Sequence, residues 1–175
     1  MNMTISNGTF ANYCSNFVNI KNMKVINSRY SDSIGNVILT GYAQTLNSFA
    51  TKRGNGIAAR LGGDNFLVFI EADKEMEFLE FVKNISVPYT NCEDVPVKVD
   101  ARVGYYFINK GDGTNDAMSN ADIASKLARN DAYSDQVKFE ESMMIHTLKM
   151  KQLEQNIPDA RREEHRAAIF RILVN

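Results

Sequence analysis

Two short apolar runs, residues 57–61 and 66–70, flank the tetrapeptide Gly62-Gly63-Asp64-Asn65. Apolar strands separated by a glycine-rich polar turn read as a tight β-hairpin, because glycine takes left-handed backbone angles without strain. The middle of the chain is therefore committed to antiparallel sheet. The chain is long enough to build a domain around it: 175 residues suffice for one proper core. A composition of 44% hydrophobic and 23% charged residues excludes a disordered chain. Lys plus Arg number 20 against 21 Asp plus Glu, a balance of −1 that argues against coating nucleic acid or an anionic membrane. The apolar run 66–70 falls far short of the roughly 20 residues that cross a bilayer. Residues 1–12 are polar and show no basic-then-apolar leader. Two cysteines, Cys14 and Cys92, make no disulfide framework, so a reduced, cytoplasmic setting is expected. His146 and His165 both lie near the end of the chain, which argues against a zinc or di-iron site in its body.

The apolar period changes along the chain and marks the other elements. Residues 13–20 read as a strand, with Phe17, Val18 and Ile20 apolar and Asn19 among them. Over 33–49, Ile34, Val37, Ile38, Tyr42, Leu46 and Phe49 recur at helical spacing. A helix is expected over 73–84, with Met76, Phe78, Leu79 and Val82 on or near one face. Residues 95–99 and 102–108 read as a second strand pair. A polar loop at 111–115 leads into a helix over 116–130, on which Met118, Ala121, Ala124 (or Ile123) and Leu127 recur, and 136–139 closes as a short strand. That order predicts an α+β sandwich of helices on a mainly antiparallel sheet.

The tail has a different pattern. Phe139, Met143, His146, Met150, Leu153 and Ile157 are spaced 4, 3, 4, 3 and 4 residues apart, a seam of fewer than three heptads that Pro158 interrupts. Such a helix packs against its own domain, or serves as a short dimer seam or a linker helix. Residues 161–175 turn from charged to apolar, the pattern of a truncated chain or one that expects a partner. There is no internal repeat, no low-complexity segment and no GxxxxGK[ST] phosphate loop.

Chemistry concentrates at Arg60-Leu61-Gly62-Gly63-Asp64-Asn65-Phe66. Two glycines let backbone approach a ligand closely, and Asp64 presents a hard oxygen suited to Mg²⁺ beside phosphates. This stretch resembles the signature hairpin of the GGDEF family, the diguanylate cyclase domains that condense two GTP into cyclic di-GMP. Asn19-Ile20-Lys21-Asn22-Met23-Lys24-Val25-Ile26-Asn27 is similar to the family's Asp-x-Asp-Phe-Phe-Lys-x-Ile-Asn. Residues 30–39 resemble Tyr-Gly-His-x-x-Gly-Asp-x-x-Leu, and 99–105 resemble its Thr-x-Ser-x-Gly strand, with Gly104 matching. Ala121-Asp122 and Ala128-Arg129 resemble its Ala-Asp…Ala-Lys helix. The resemblance spans about residues 11–140 and implies the ferredoxin-like, nucleotidyl-cyclase-type fold. It divides the chain into a GGDEF-like domain at 1–139 and a C-terminal helical linker at 140–175, which would lead to a further domain such as an EAL phosphodiesterase.

The resemblance also implies a site. Asp64, Asn19 and the backbone at Ile20 fall on the family's metal positions. Asn27 and Asn36 fall on its guanine-binding positions, and Lys24, Gly62, Gly63 and Arg129 on positions around the phosphates. Departures from the pattern are informative. Asn19 and Asn65 stand where the family has carboxylates, and Tyr133 stands where it has a phosphate-binding Arg. If each neutralised group costs about 3 kcal/mol of barrier, the pair slows the reaction on the order of 10⁴-fold. The family's Arg-x-x-Asp product-inhibition motif survives only as Arg53, with Gly56 in place of its Asp. The expectation is a catalytically inactive GGDEF domain of cyclic di-GMP signalling, sensing GTP (with Mg²⁺ if GTP is bound) or dimerising. The alternatives are an active cyclase working as a transient homodimer and a purely structural interaction domain. No nucleic-acid partner and no membrane contact are expected.

Overall fold

The structure, a computed structural model, describes residues 10–88, 96–129 and 134–155. Expectations for residues 1–9, Cys92, Val95, Tyr133, Ile157, Pro158, His165 and the 161–175 run lie outside them. The first unit, Met1–Phe139, contains the sheet. Its elements in order are β1 (Tyr13–Ile20), α1 (Met23–Tyr30), α2 (Asp32–Lys52), β2 (Ile57–Gly62), β3 (Asn65–Glu71), α3 (Glu75–Lys83), β4 (Ser86–Val87), β5 (Val97–Lys98), β6 (Ala101–Phe107), α4 (Thr114–Ala128) and β7 (Gln136–Lys138). Five strands form the main sheet in the order β2-β3-β1-β6-β7, antiparallel except for the parallel β6–β7 pair. The fold is the expected α+β sandwich. No described helix is long and apolar enough to cross a membrane.

Alternation along the strands assigns the two faces. Val18 and Ile20 of β1, Phe66, Val68 and Ile70 of β3, and Val103 of β6 meet Ile38, Tyr42, Leu46 and Phe49 of α2 and Phe78 and Val82 of α3 in one core. Each large side chain buried there contributes about 2–3 kcal/mol. The opposite face is thin. Ala117, Ala121, Ala124 and Ala128 of α4 lie buried, while Met118 and Leu127 are half-buried. The expected apolar stripe is thus centred on alanines, because α4 sits so close to β6 that a Cβ on Gly104 would overlap Ser125 N and Ala121 O. Tight apposition selects small residues, whose signal in a hydropathy pattern is weak. The carboxylate of Asp116 accepts the Gly113 N–H (2.9 Å) and caps this helix.

Other expectations need correcting. Residues 97–98 and 101–107 are not a strand pair: β5 pairs with β4 in a separate two-stranded sheet. β6 cannot accept β5, since β1 occupies one of its edges and β7 the other. Val37 (51% exposed) and Met76 (74%) lie outside the apolar faces expected for them. An element not expected at all is α1, which buries no residue fully and rests on Met23 and Ile26. It begins after Asn22, whose positive φ of 57° is one that asparagine tolerates, so the chain turns sharply out of β1.

Among the described residues, one charged side chain lies inside the core. Glu75 is 1% exposed, and its carboxylate accepts a hydrogen bond from the Asn16 amide at 2.9 Å. Burial raises its pKa, and burial together with Glu75 raises that of the neighbouring Cys14 thiol. A carboxyl with a raised pKa binds more protons folded than unfolded. Its stabilising contribution therefore falls as pH rises from the ordinary carboxylate value to the raised one. Glu75→Gln is expected to flatten stability across that window and to add about 1 kcal/mol at neutral pH. Urea denaturation at several pH values checks this, and parallel profiles for both proteins would refute it.

The second unit, Glu140–Asn175, contains α5 (Glu141–Gln155). Of the expected seam, Met143, His146 and Met150 are half-buried and Leu153 is 44% exposed. Met144, Ile145 and Leu148 are also exposed, so apolar residues lie outside that seam as well.

Candidate functional site

The β2–β3 turn is the best-defined feature of the site. Gly62 pairs with Asn65, leaving Gly63 and Asp64 at the tip, with a bulge between Arg60 and Gly62. Gly62 (φ 142°) and Gly63 (φ 54°) occupy backbone angles that a side chain would strain, and a Cβ at either would meet open space. The reason for glycine here is conformation, not crowding. Arg60 clamps the turn, donating from Nε (2.9 Å) and a terminal nitrogen (2.7 Å) to the Gly63 carbonyl. The sequence motif gives Arg60 no part in the site; a long donor facing a two-residue tip is the signal that marks it.

Sheet register brings the turn to the end of β1. Asn19 is paired with Asn65 on one side and Arg102 on the other, and the Ile20 N–H donates to the Asp64 carbonyl at 3.0 Å. Directly paired residues share a face. Gly104 packs under α4 and lies two residues along β6 from Arg102, so Asn19 and Asn65 face the α4 side. There the Asn19 amide donates to Asn65 Oδ1 at 3.0 Å, and Arg129, at the C-cap of α4, donates to the same oxygen at 3.3 Å. Asn65 in turn donates to the Gly62 carbonyl at 3.3 Å. Asn65 is thus the hub that joins strand, turn and helix. Spacing alone marks it only as a departure from the family pattern. Nearby, Asp135 holds Lys21 (2.9 Å) and Arg102 (3.6 Å), which ties β1 and β6 to the start of β7.

The remaining expected residues stand on α1 and α2. Lys24 is exposed on the first turn of α1. Asn27 Oδ1 is buried without a hydrogen-bond partner, pressed against Gly35, where a Cβ would overlap it. Asn36 follows on the exposed side of α2 and lines an open groove of about 590 Å³ with Val37, Thr40, Gln44, Val87 and Pro88. No hydrogen bond among the described residues links Asn27 or Asn36 to the turn. Arg53 pairs with Glu77 at 3.2 Å, and a side chain at Gly56 would overlap the Phe69 carbonyl.

As a metal centre the cluster is poor. A hard divalent cation takes carboxylates, and a pair of them takes several. Here Asp64 is the one carboxylate of the turn, Asn19 offers a neutral amide oxygen in place of a charged one, and a guanidinium bonds to the neighbouring Asn65 oxygen. No three His, Cys, Asp or Glu side chains among the described residues gather into a metal-holding group. These residues do not fit a resident Mg²⁺ pair. They can present cationic and amide donors to an anion.

Comparison with known proteins gives these features a context. Residues 12–134 match the family described as diguanylate cyclase, GGDEF domain. The chain is 30% identical over 143 residues to the bifunctional diguanylate cyclase/cyclic di-GMP phosphodiesterase MucR of Pseudomonas aeruginosa, covering 78% of this chain and 20% of that protein. It is 27% identical over 125 residues to the biofilm architecture maintenance protein MbaA of Vibrio cholerae, covering 65% of this chain and 16% of that protein. It therefore spans about a fifth or less of the length of these relatives. The GGDEF domain of TpbB (YfiN) from Pseudomonas aeruginosa superposes with a TM-score of 0.62 at 19% identity, over 78% of this chain and 81% of that one. That of DgcB from Caulobacter crescentus, solved with c-di-GMP, superposes with a TM-score of 0.59 at 17% identity, over 72% and 74%. At such identities the likeness shows the fold.

Proposed function

This chain belongs to the diguanylate cyclase GGDEF domain family of cyclic di-GMP signalling, and within that family we propose that it binds GTP without condensing it, as a nucleotide-sensing regulatory module. One observation carries the reading. Where the resemblance calls for two carboxylates, the Asn19 amide donates to the Asn65 amide oxygen at 3.0 Å, and Arg129 donates to that oxygen at 3.3 Å. Condensation needs a 3′-hydroxyl activated and charge on the leaving phosphate offset, tasks given to metal ions in two-metal chemistry. A hub of two amides and a guanidinium holds anions better than cations. Guanine recognition would fall to Asn27 and Asn36, with Lys24 and Arg129 on the phosphates. The module would act in the cytoplasm, as a homodimer or joined through α5 to an effector domain such as EAL.

The buried Asn27 Oδ1 favours a second reading, a purely structural interaction domain whose pocket takes no nucleotide. Turnover tests the first reading against an active cyclase. GTP incubated with the chain and Mg²⁺, then resolved by chromatography, is expected to remain intact, and accumulation of cyclic di-GMP would refute the loss of catalysis.

A further inference from the structure

Both ends of α1 are turned by left-handed backbone at residues other than glycine. Asn22 precedes the helix at φ 57°, and Ser31 follows it at φ 89° and ψ 160°. Asparagine tolerates the first conformation, but the second is a region left almost entirely to glycine. Ser31 is also the joint between two helices. Its N–H donates to the Asn27 carbonyl at 2.8 Å, and its carbonyl accepts from the Gly35 N–H at 2.9 Å. Strain at such a joint persists only while the packing on both sides holds it. On the α1 side that packing is slight: the helix has eight residues, none fully buried, and Val25 is 63% exposed. Its apolar anchors are Met23 and Ile26. A further inward contact is polar and unsatisfied. Asn27 Oδ1 lies buried without a hydrogen-bond partner, in the space that Gly35 leaves by having no side chain. A buried acceptor without a donor costs free energy that exposure to water recovers.

We propose that α1 is a hinged flap, held shut in this structure with the Asn27 oxygen turned inward, that lifts away about Asn22 and Ser31 while the sheet stays folded. Opening relaxes Ser31 and releases the Asn27 amide to bond a guanine. That last step rests on the reading that the chain binds GTP; the hinge does not. Shut, the flap is an autoinhibitory contact, because it withholds the side chain that reads the base. Amide hydrogen exchange of the full chain, followed across a low urea series, separates such an opening from global unfolding. A helix of eight residues does not persist once detached, so its amides exchange on opening. The hydrogen-bonded amides of α1 are expected to exchange at least about tenfold faster than those of β1, and with little dependence on urea. Equal protection and an equal urea slope in α1 and β1 would overturn the proposal. Ser31→Gly relieves the shut form and is expected to slow α1 exchange about three- to tenfold. Ser31→Ala keeps the strain and loses only the 2.9 Å contact with the Ser33 hydroxyl, so it should stay within about twofold of the parent. Unchanged exchange in Ser31→Gly would remove the hinge. Titration of GTP into the same proteins reads the autoinhibition: affinity should fall in Ser31→Gly by the factor by which exchange slows. Unchanged affinity beside slowed exchange would overturn the autoinhibitory role. Absence of GTP binding in parent and variants would overturn the nucleotide reading instead, and the flap would stand or fall on exchange alone.

Discussion

Gly104→Ala is expected to cost the domain about 3 kcal/mol of stability, the upper end of what overpacking a core does. The methyl group would fall on Ser125 N and Ala121 O, both backbone atoms of α4, so no side-chain rotation relieves the overlap. The helix itself must lift from the sheet. Doing so opens the interface along Ala117, Ala121, Ala124 and Ala128, all of which are buried. Val103, the next residue of β6, is buried in the core on the opposite face of the sheet, which leaves the strand little room to retreat. Urea denaturation checks the value, and a midpoint equal to that of the parent would show that α4 is free to move. The substitution also carries a functional consequence, because α4 ends at Arg129. Lifting the helix draws the guanidinium away from Asn65 and should weaken nucleotide binding from a distance.

Arg129→Ala is expected to lower GTP affinity about ten- to one-hundredfold, corresponding to about 1.5–3 kcal/mol for a hydrogen bond to a charged group. Arg129 is exposed and its one described hydrogen bond goes to Asn65, so its removal should cost the fold little. The effect should therefore separate cleanly: affinity falls while the denaturation midpoint stays. Arg129→Lys should recover part of the loss, since it keeps the charge and gives up the planar fork. Unchanged affinity in Arg129→Ala would remove this residue from the phosphates.

How much of this was legible beforehand depended on whether a feature was local or long-range. The hairpin at 57–71 was readable because two glycines with positive φ and two apolar arms are written in consecutive residues. β1, α2 and α3 were readable from periodicity. α1 escaped because it rests on only Met23 and Ile26 and has no fully buried face to impose a pattern. The pairing of β5 with β4 escaped for a different reason. Adjacency in sequence favoured β6 as its partner, whereas both edges of β6 were taken by strands distant in the chain. On α4 the expected face joined Ala121 and Ala124, which are buried, to Met118 and Leu127, which are only half-buried, because close packing on Gly104 demands alanine, a residue equally at home on a surface.

At the site, the resemblance names candidate residues but not the connections between them. Asn19, Asp64, Gly62, Gly63 and Arg129 do converge, drawn together by the register of β1 with β3 and by α4 crossing the sheet. Asn65 as the hub and Arg60 as the clamp emerge only in the folded arrangement, since each acts through a contact that spacing does not display. Asn27 and Asn36 were named as a pair for one base, yet Asn27 turns its oxygen inward against Gly35 and Asn36 opens onto a groove beside β4. A guanine would have to draw Asn27 outward, which a sequence could not reveal.

Calorimetric titration of GTP into this chain in the presence of Mg²⁺ tests the central claim most directly. Saturable heat with no product formed is the predicted result and would establish a nucleotide-binding GGDEF domain that has lost its catalysis. Absence of heat at millimolar GTP would contradict it and leave the fold as an interaction module.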